Sequence, residues 1–213
     1  MAARTVPLVG DLLDDLPPRC RSCVFWELGS ERPGEGSEDE VRAAQDRVRK
    51  QGWVTAHTLE SGPPGVQLRN GDQRIGYALF STTLPPRAAG IPPTSDDALV
   101  LATAWIDSDL RGRGHGRLLV QAALREALRQ DLRAVEAYGD RRAREWDCVV
   151  PVAWLLHEGF EVVAEHPRYP LLRIDTGRLA RWAESLEHAV EELLGRGRAP
   201  QPVAQPQVPA STS

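Results

Sequence analysis

The sequence predicts a mixed α/β (α+β) domain, and three observations carry that prediction. Residues Ala98 to Ile106 form an almost wholly apolar run of strand length, as in a strand buried on both faces. A turn rich in glycine and arginine follows, after which the apolar spacing becomes helical at Leu118, Leu119, Ala122, Ala123 and Leu128. Upstream, Asn70-Gly71 separates two short apolar runs, which is the signature of a β-hairpin.

Composition bounds the problem before any motif does. The chain has 213 residues, of which 41% are apolar and 26% charged, with a formal net charge of -4. That length suits one domain with extensions, large enough to bury roughly 70% of its unfolded surface without disulfide or metal staples. No run of about 18 apolar residues predicts a membrane span. The start, Met-Ala-Ala-Arg-Thr-Val-Pro, lacks the pattern of a secretory signal, so a cytoplasmic location is expected. The mildly negative balance argues against a dedicated nucleic-acid binder. Lys50 is the only lysine; arginine supplies every other basic side chain, as a GC-rich genome would dictate.

Each element has its own justification. Residues 1–30 read as irregular, broken by Pro7, Gly10, Pro17 and Pro18, with Val24-Phe25-Trp26 as a short strand or a buried anchor. Ser37 and Glu40 form a capping box, so a helix should run to about Gln51 or beyond, with Val41, Ala44, Gln45 and Val48 on one face. Val66-Gln67-Leu68 and Ile75 to Phe80 are the hairpin strands, and a proline-rich loop fills 84–94. After the long strand and the helix that begins near Gly114, Ala134 to Tyr138 reads as a strand and Val149 to His157 as a helix ended by Gly159. Glu161 to Glu165 and Tyr169 to Ile174 read as closing strands. Leu179, Trp182, Leu186, Ala189, Val190 and Leu193 give an amphipathic helix over 177–194, whose apolar face suits its own domain or a second copy of the chain in a homodimer. The stretch 196–213, with four prolines among Gln, Ala and Ser, reads as a disordered tail.

The cysteines are suggestive without being decisive. Cys20 and Cys23 form a C-x-x-C, and Cys148 stands alone. An odd number without an extracellular signal disfavours a disulfide framework, and zinc would need further ligands at a sensible spacing, so no metal is expected. Buried structural thiols are the plain reading; a redox or zinc role for the pair is the other.

The segment with chemical content is Asp107 to Arg117, which joins the apolar strand to the amphipathic helix. A glycine-rich turn there leaves backbone N–H groups free at the positive end of a helix dipole, an arrangement that binds phosphate. Gly112, Gly114 and Gly116 would let an anion approach the backbone, and Arg111, Arg113 and Arg117 would add charge-assisted contacts. A Walker A loop needs lysine and fails; the dinucleotide fingerprint G-x-G-x-x-G fails at its third glycine from either start. The pattern R/Q-x-x-G-x-G/A of acyl-coenzyme A binders is met by Arg111-Gly112-Arg113-Gly114-His115-Gly116.

At this loop the chain resembles the GNAT superfamily of N-acetyltransferases. The likeness extends over roughly residues 38–175, through the order of elements and the ending Glu158-Gly159-Phe160-Glu161-Val162-Val163. Cys20 and Cys23 before Phe25-Trp26-Glu27, together with His166-Pro167-Arg168-Tyr169-Pro170, look like an uncharacterised bacterial subgroup. The resemblance implies a mixed, mostly antiparallel central sheet with flanking helices. One acetyltransferase domain would cover 1–195, its core at about 38–175.

The resemblance also implies a reaction: transfer of an acetyl (acyl) group from acetyl-CoA to a small-molecule or peptide amine, by direct attack in a ternary complex. Ala104, Trp105 and Ile106 would pair with the pantetheine arm, and the N–H groups from Arg111 to Gly116, with His115 among them and pointing outward, would hold the pyrophosphate. The family's usual acid, a tyrosine about five residues before the Gly-Phe pair, falls on Leu155, which cannot donate a proton. Cys148, two helical turns earlier on the same expected helix face, and Tyr138 are the substitute acids. Glu27, Asp107 and Glu136 are candidate bases, Glu136 the best placed. The missing tyrosine keeps a second function open, a non-catalytic acyl-CoA binding or sensor protein.

Overall fold

The computed structural model describes residues 3–29, 40–82, 84–85, 90–143 and 148–182. It divides into two units, 1–176 and 177–213. In the first, strand β1 (Arg4–Pro7) leads through a 3-10 turn (Gly10–Asp15) and two single-turn helices, α1 (Pro18–Arg21) and α2 (Phe25–Leu28), to the long helix α3 (Glu40–Ser61). The hairpin strands are β2 (Gly65–Asn70) and β3 (Gln73–Ser81), and β4 (Ala98–Ile106) follows. Helix α4 (His115–Arg129) crosses to β5 (Ala134–Asp140), then come the short β6 (Val150–Pro151), α5 (Val152–His157), β7 (Glu161–Ala164) and β8 (Leu171–Asp175). In the second unit, helical residues begin at Arg178; the greater part of the expected helix over 177–194, and the expected tail, lie outside the described residues.

The sheet order is β1-β2-β3-β4-β5-β8-β7, with β6 beside β5. All neighbours are antiparallel except β4 with β5 and β5 with β6. The parallel pair follows from connectivity: a strand that reaches the next by a crossover helix must run the same way. The fold is thus the mixed, mostly antiparallel sheet with helices on its faces that the sequence led us to expect.

Two expectations need correction. The N-terminal stretch is not irregular: β1 pairs with β2 from Arg4 opposite Arg69 to Pro7 opposite Val66, and Val24-Phe25-Trp26 enters a helical turn that seats Trp26, 3% exposed, as an anchor. Helix α3 extends ten residues beyond Gln51, and its expected apolar face is the wet one, with Val41 68% and Val48 71% exposed. The buried stripe is instead Lys50, Val54 and His57. Ser37 of the expected capping box lies outside the described residues.

Two apolar layers enclose the sheet. Helix α4 lays Leu119, Val120, Ala123, Leu124 and Ala127 on one face. The other face is covered by the N-terminal segment: Leu8, Leu13, Leu16 and Trp26 join Val54, Tyr77, Leu79, Ala102, Tyr138 and Val149 in one core cluster. Strand alternation explains the division, since Tyr77 and Leu79 of β3 point to the same face at a spacing of two.

Candidate functional site

The feature that shapes the site is a strand pair that separates. Strand β4 and strand β5 are in register only at Ala98–Ala134, Leu99–Val135 and Val100–Glu136. Beyond that, β4 continues to Ile106 on its β3 partners, with Ala104 opposite Ala78, Trp105 opposite Tyr77 and Ile106 opposite Gly76. Strand β5 turns to β6, pairing Gly139 with Val150 and Asp140 with Pro151. The C-terminal ends of the two parallel strands therefore enclose an opening, and the outer edge of β4 from Ala104 to Ile106 is half-buried beside it. A crevice at the carboxyl ends of parallel strands is where open α/β sheets take ligands.

The glycine-rich turn stands at the mouth of that opening. After the 3-10 turn Ser108–Leu110, Arg111 is extended, and Gly112 (φ 72°) and Gly114 (φ 78°) adopt the left-handed conformation that favours glycine. Gly114 is the N-cap of α4, with no side-chain cap on the first N–H groups of the helix. A Cβ at Gly112 or Gly114 would meet nothing within 4 Å. An uncapped helix N-terminus under open space is an anion site, and the residues present fit a pyrophosphate.

Around it the side chains are tied to the loop more than the sequence suggested. Arg111 Nε donates to the Ile106 carbonyl at 3.1 Å, and Arg113 Nη2 to the Asp109 carbonyl at 3.1 Å. His115 does not point outward: its Nδ1 donates to the Leu110 carbonyl at 3.1 Å, bracing the turn. Arg117 Nε donates to the buried Glu158 at 3.1 Å, which draws it toward the end of α5. Gly116 serves packing, since a Cβ there would lie 2.8 Å from Trp154 Nε1. Gly116→Ala should therefore lower the melting temperature by a few degrees, although alanine favours helix by about 1 kcal/mol, with the Trp154 fluorescence shifted. An unchanged or higher melting temperature would contradict that contact.

The three predicted catalytic residues are not brought together as a catalytic set. Glu136 is fully buried at the last position where β5 pairs with β4, and its carboxylate accepts from Ser95 N (2.8 Å), Ser95 Oγ (2.6 Å) and Arg173 Nη1 (3.2 Å). Arg173 also grips Asp97 through both Nη atoms, and these two carboxylates hold its guanidinium above the usual arginine range. This network bolts β5 and β8 to the loop ahead of β4, so Glu136 is a structural carboxylate rather than the best-placed base. Tyr138, 6% exposed, stacks on Trp26 and donates its hydroxyl proton to the Pro92 carbonyl at 2.6 Å, so that proton is held by the backbone.

Cys148 does not share a helix with Leu155, because α5 starts only at Val152. It lies in a bend before β6, with its Sγ 3.9 Å from Cys23 Sγ. Leu155 is fully buried in the core. Of the candidate bases, Glu27 is 4% exposed and ion-paired with Lys50 (Nζ to Oε1, 2.5 Å), an electrostatic contact outside hydrogen-bond angles. Asp107 is half-buried where β4 ends, with its carboxylate in the field of the Arg74 guanidinium. The buried Lys50–Glu27 pair and the approach of Cys23 to Cys148 had no signal in the sequence, since contacts over 23 and 125 residues follow no spacing rule. Among the described residues no group of three or more His, Cys, Asp or Glu side chains is arranged to hold a metal.

Comparison with known proteins agrees with this geometry. The model of the acetyltransferase (GNAT) family matches residues 24–146, more than half of the chain. No curated protein matches the sequence. Among solved structures, the PaiA N-acetyltransferase of Thermoplasma acidophilum in complex with coenzyme A is similar over 82% of this chain and 99% of its own, at 11% identity and a TM-score of 0.53. YncA of Salmonella typhimurium, a putative acetyltransferase with acetyl-CoA, is similar over 83% of this chain and 95% of its own (14% identity, TM-score 0.54). An N-acetyltransferase of Staphylococcus aureus covers 83% of this chain and 99% of its own (14% identity, TM-score 0.53). With the parted strands, the uncapped glycine turn and the family match in agreement, this chain belongs to the acetyltransferase (GNAT) family.

Proposed function

We propose that the protein transfers an acetyl group from acetyl-CoA to a small-molecule or peptide amine. The observation that carries the reading is the opening between β4 and β5 beside the uncapped N-terminus of α4. The edge of β4 that β5 leaves at Ala104, Trp105 and Ile106 would hold the pantetheine arm as an added strand once the Arg111 side chain yields the Ile106 carbonyl, and the N–H groups of the Arg111–Gly116 turn the pyrophosphate. Acetyl-CoA supplies an activated acyl group as a thioester. A backbone N–H at the end of β4 would polarise the acyl carbonyl, and Asp107 would take the proton from the attacking ammonium. A thiol leaving group of pKa about 8.5 departs as thiolate near neutrality, so a buried leucine in place of the family's tyrosine does not forbid turnover.

The test is release of free coenzyme A thiol from acetyl-CoA across a panel of amines. Asp107→Asn should cut kcat by about 100-fold or more, whereas Glu136→Gln should lower stability and leave the pH profile of kcat unchanged. A loss of the acidic limb of the profile in Glu136→Gln would restore Glu136 as the base. A second reading has its own support: Glu136 and Tyr138 are committed to structure and Leu155 to the core. A protein that binds acetyl-CoA tightly yet turns over none of the amines would be a non-catalytic acyl-CoA sensor.

A further inference from the structure

The N-terminal segment brings a second cluster of reactive groups to the sheet. Cys20 in α1, Cys23 between α1 and α2, and Cys148 before β6 line one cavity of about 20 Å³ together with Tyr77, Thr103, Glu27 and Lys50. That volume admits about one water-sized molecule. The elements around it are all fixed by packing: Trp26 Nε1 donates to the Cys148 carbonyl at 3.2 Å, and Lys50 Nζ donates to the Cys23 carbonyl at 2.9 Å. Cys23 Sγ and Cys148 Sγ stand 3.9 Å apart, so a small shift brings them to bonding distance.

We propose that Cys23 and Cys148 are a hydroperoxide-oxidised thiol pair, whose disulfide ties the N-terminal segment to the chain entering β6. The pairing does not rest on the acetyl-transfer reading. Cys23 is the thiol attacked first: its hydrogen bond with Cys148 lowers it most, the backbone at Phe25 and the Lys50 ammonium add to this, and together they outweigh burial and hold it at about 7. Cys20 is the wrong partner although it is nearer in sequence. Burial raises its thiol, and its Sγ is engaged by the fully buried Tyr77 hydroxyl.

The chemistry balances in two steps. The Cys23 thiolate attacks one peroxide oxygen, the O–O bond breaks, and the other oxygen leaves with a proton as water or alcohol, giving a sulfenic acid. Cys148 sulfur then attacks Cys23 sulfur, the S–O bond breaks, and hydroxide leaves with the Cys148 proton as water. Two thiols lose two electrons and the peroxide gains them. The cavity that all three thiols line takes a water-sized molecule, so hydrogen peroxide, larger than water by one oxygen, is the least hindered of the hydroperoxides there.

The test treats the full reduced chain with hydrogen peroxide, then maps peptides without reduction. The expected product is a monomer lighter by two hydrogens, with the Cys23 and Cys148 peptides joined and Cys20 still open to alkylation. A bridge across a sequence separation of 125 residues should also raise the melting temperature by roughly 5–10 °C. Cys20→Ser should still form the bridge; Cys148→Ser should instead leave a sulfenic acid on Cys23 that dimedone traps. A Cys20–Cys23 bond, a bridge between two chains, or thiols unchanged by peroxide would each overturn the proposal. The wild-type peptide map alone decides if either variant fails to fold.

Discussion

Lys50→Met is expected to lower the unfolding free energy by about 3–5 kcal/mol, read from urea melts at pH 7 with an unchanged m-value. The side chains of Lys50 and Glu27 are 6% and 2% exposed, so the ammonium and the carboxylate have both left water. Removing the lysine strands the Glu27 carboxylate without its counter-charge and leaves the Cys23 carbonyl without its Nζ donor. The cost is that of an unpaired buried charge, not the net worth of the ion pair, and the two differ in a testable way. The double change Lys50→Met with Glu27→Leu should recover most of the loss, because a well-packed apolar pair replaces a well-matched ionic one at little penalty. Lys50→Arg should not rescue, since a planar fork of five donors cannot be satisfied where one ammonium fits. A single-variant loss below about 1 kcal/mol, or a double variant as unstable as the single, would show that the pair is not buried in solution. A chain that uses arginine everywhere else keeps its one lysine at this buried site.

How far the sequence could be read follows from the kind of signal each part leaves. Periodicity and turn chemistry are local, so the hairpin at Asn70-Gly71, the strand Ala98–Ile106 and the helix after Gly114 were legible, and the motif Arg111–Gly116 found the uncapped helix start. Helix α3 misled because its apolar residues are not its buried ones: Val41 and Val48 are exposed while Lys50 and His57 are buried. His57 is satisfied there by the Gly62 carbonyl and the Ser81 hydroxyl, both 2.8 Å away, partners no spacing rule anticipates. Catalytic roles are the least legible part, for a physical reason. A carboxylate on a central strand looks the same in sequence whether it faces a substrate or, like Glu136, a buried arginine and a serine. The same blindness hid Cys148, whose relation to Cys23 exists only once the N-terminal segment has folded across the sheet.

The phosphate turn gives the other large effect. Gly114→Trp should weaken coenzyme A binding at least about 100-fold by calorimetry, a loss of about 2.7 kcal/mol at tenfold per 1.4. Two causes act together. At φ 78° a residue with a side chain sits in a conformation that costs roughly 1–3 kcal/mol, which the turn relieves by rotating the N–H groups away from a shared focus. The indole itself would fill the space that now lies open above the cap, where no atom stands within 4 Å of a Cβ. Gly114→Ala separates the two, for it keeps the strain without the bulk and should bind coenzyme A only about tenfold more weakly. Because nothing packs against that position, both variants should stay folded, with far-ultraviolet spectra unchanged and melting temperatures a few degrees lower at most. Arg111→Ala should act differently, by removing a positive charge from an exposed loop, so its loss should shrink as salt is added while that of Gly114→Trp persists. Wild-type affinity in the folded Gly114→Trp variant would remove the turn from the site, and with it the geometric basis for an acyl-coenzyme in the opening between β4 and β5.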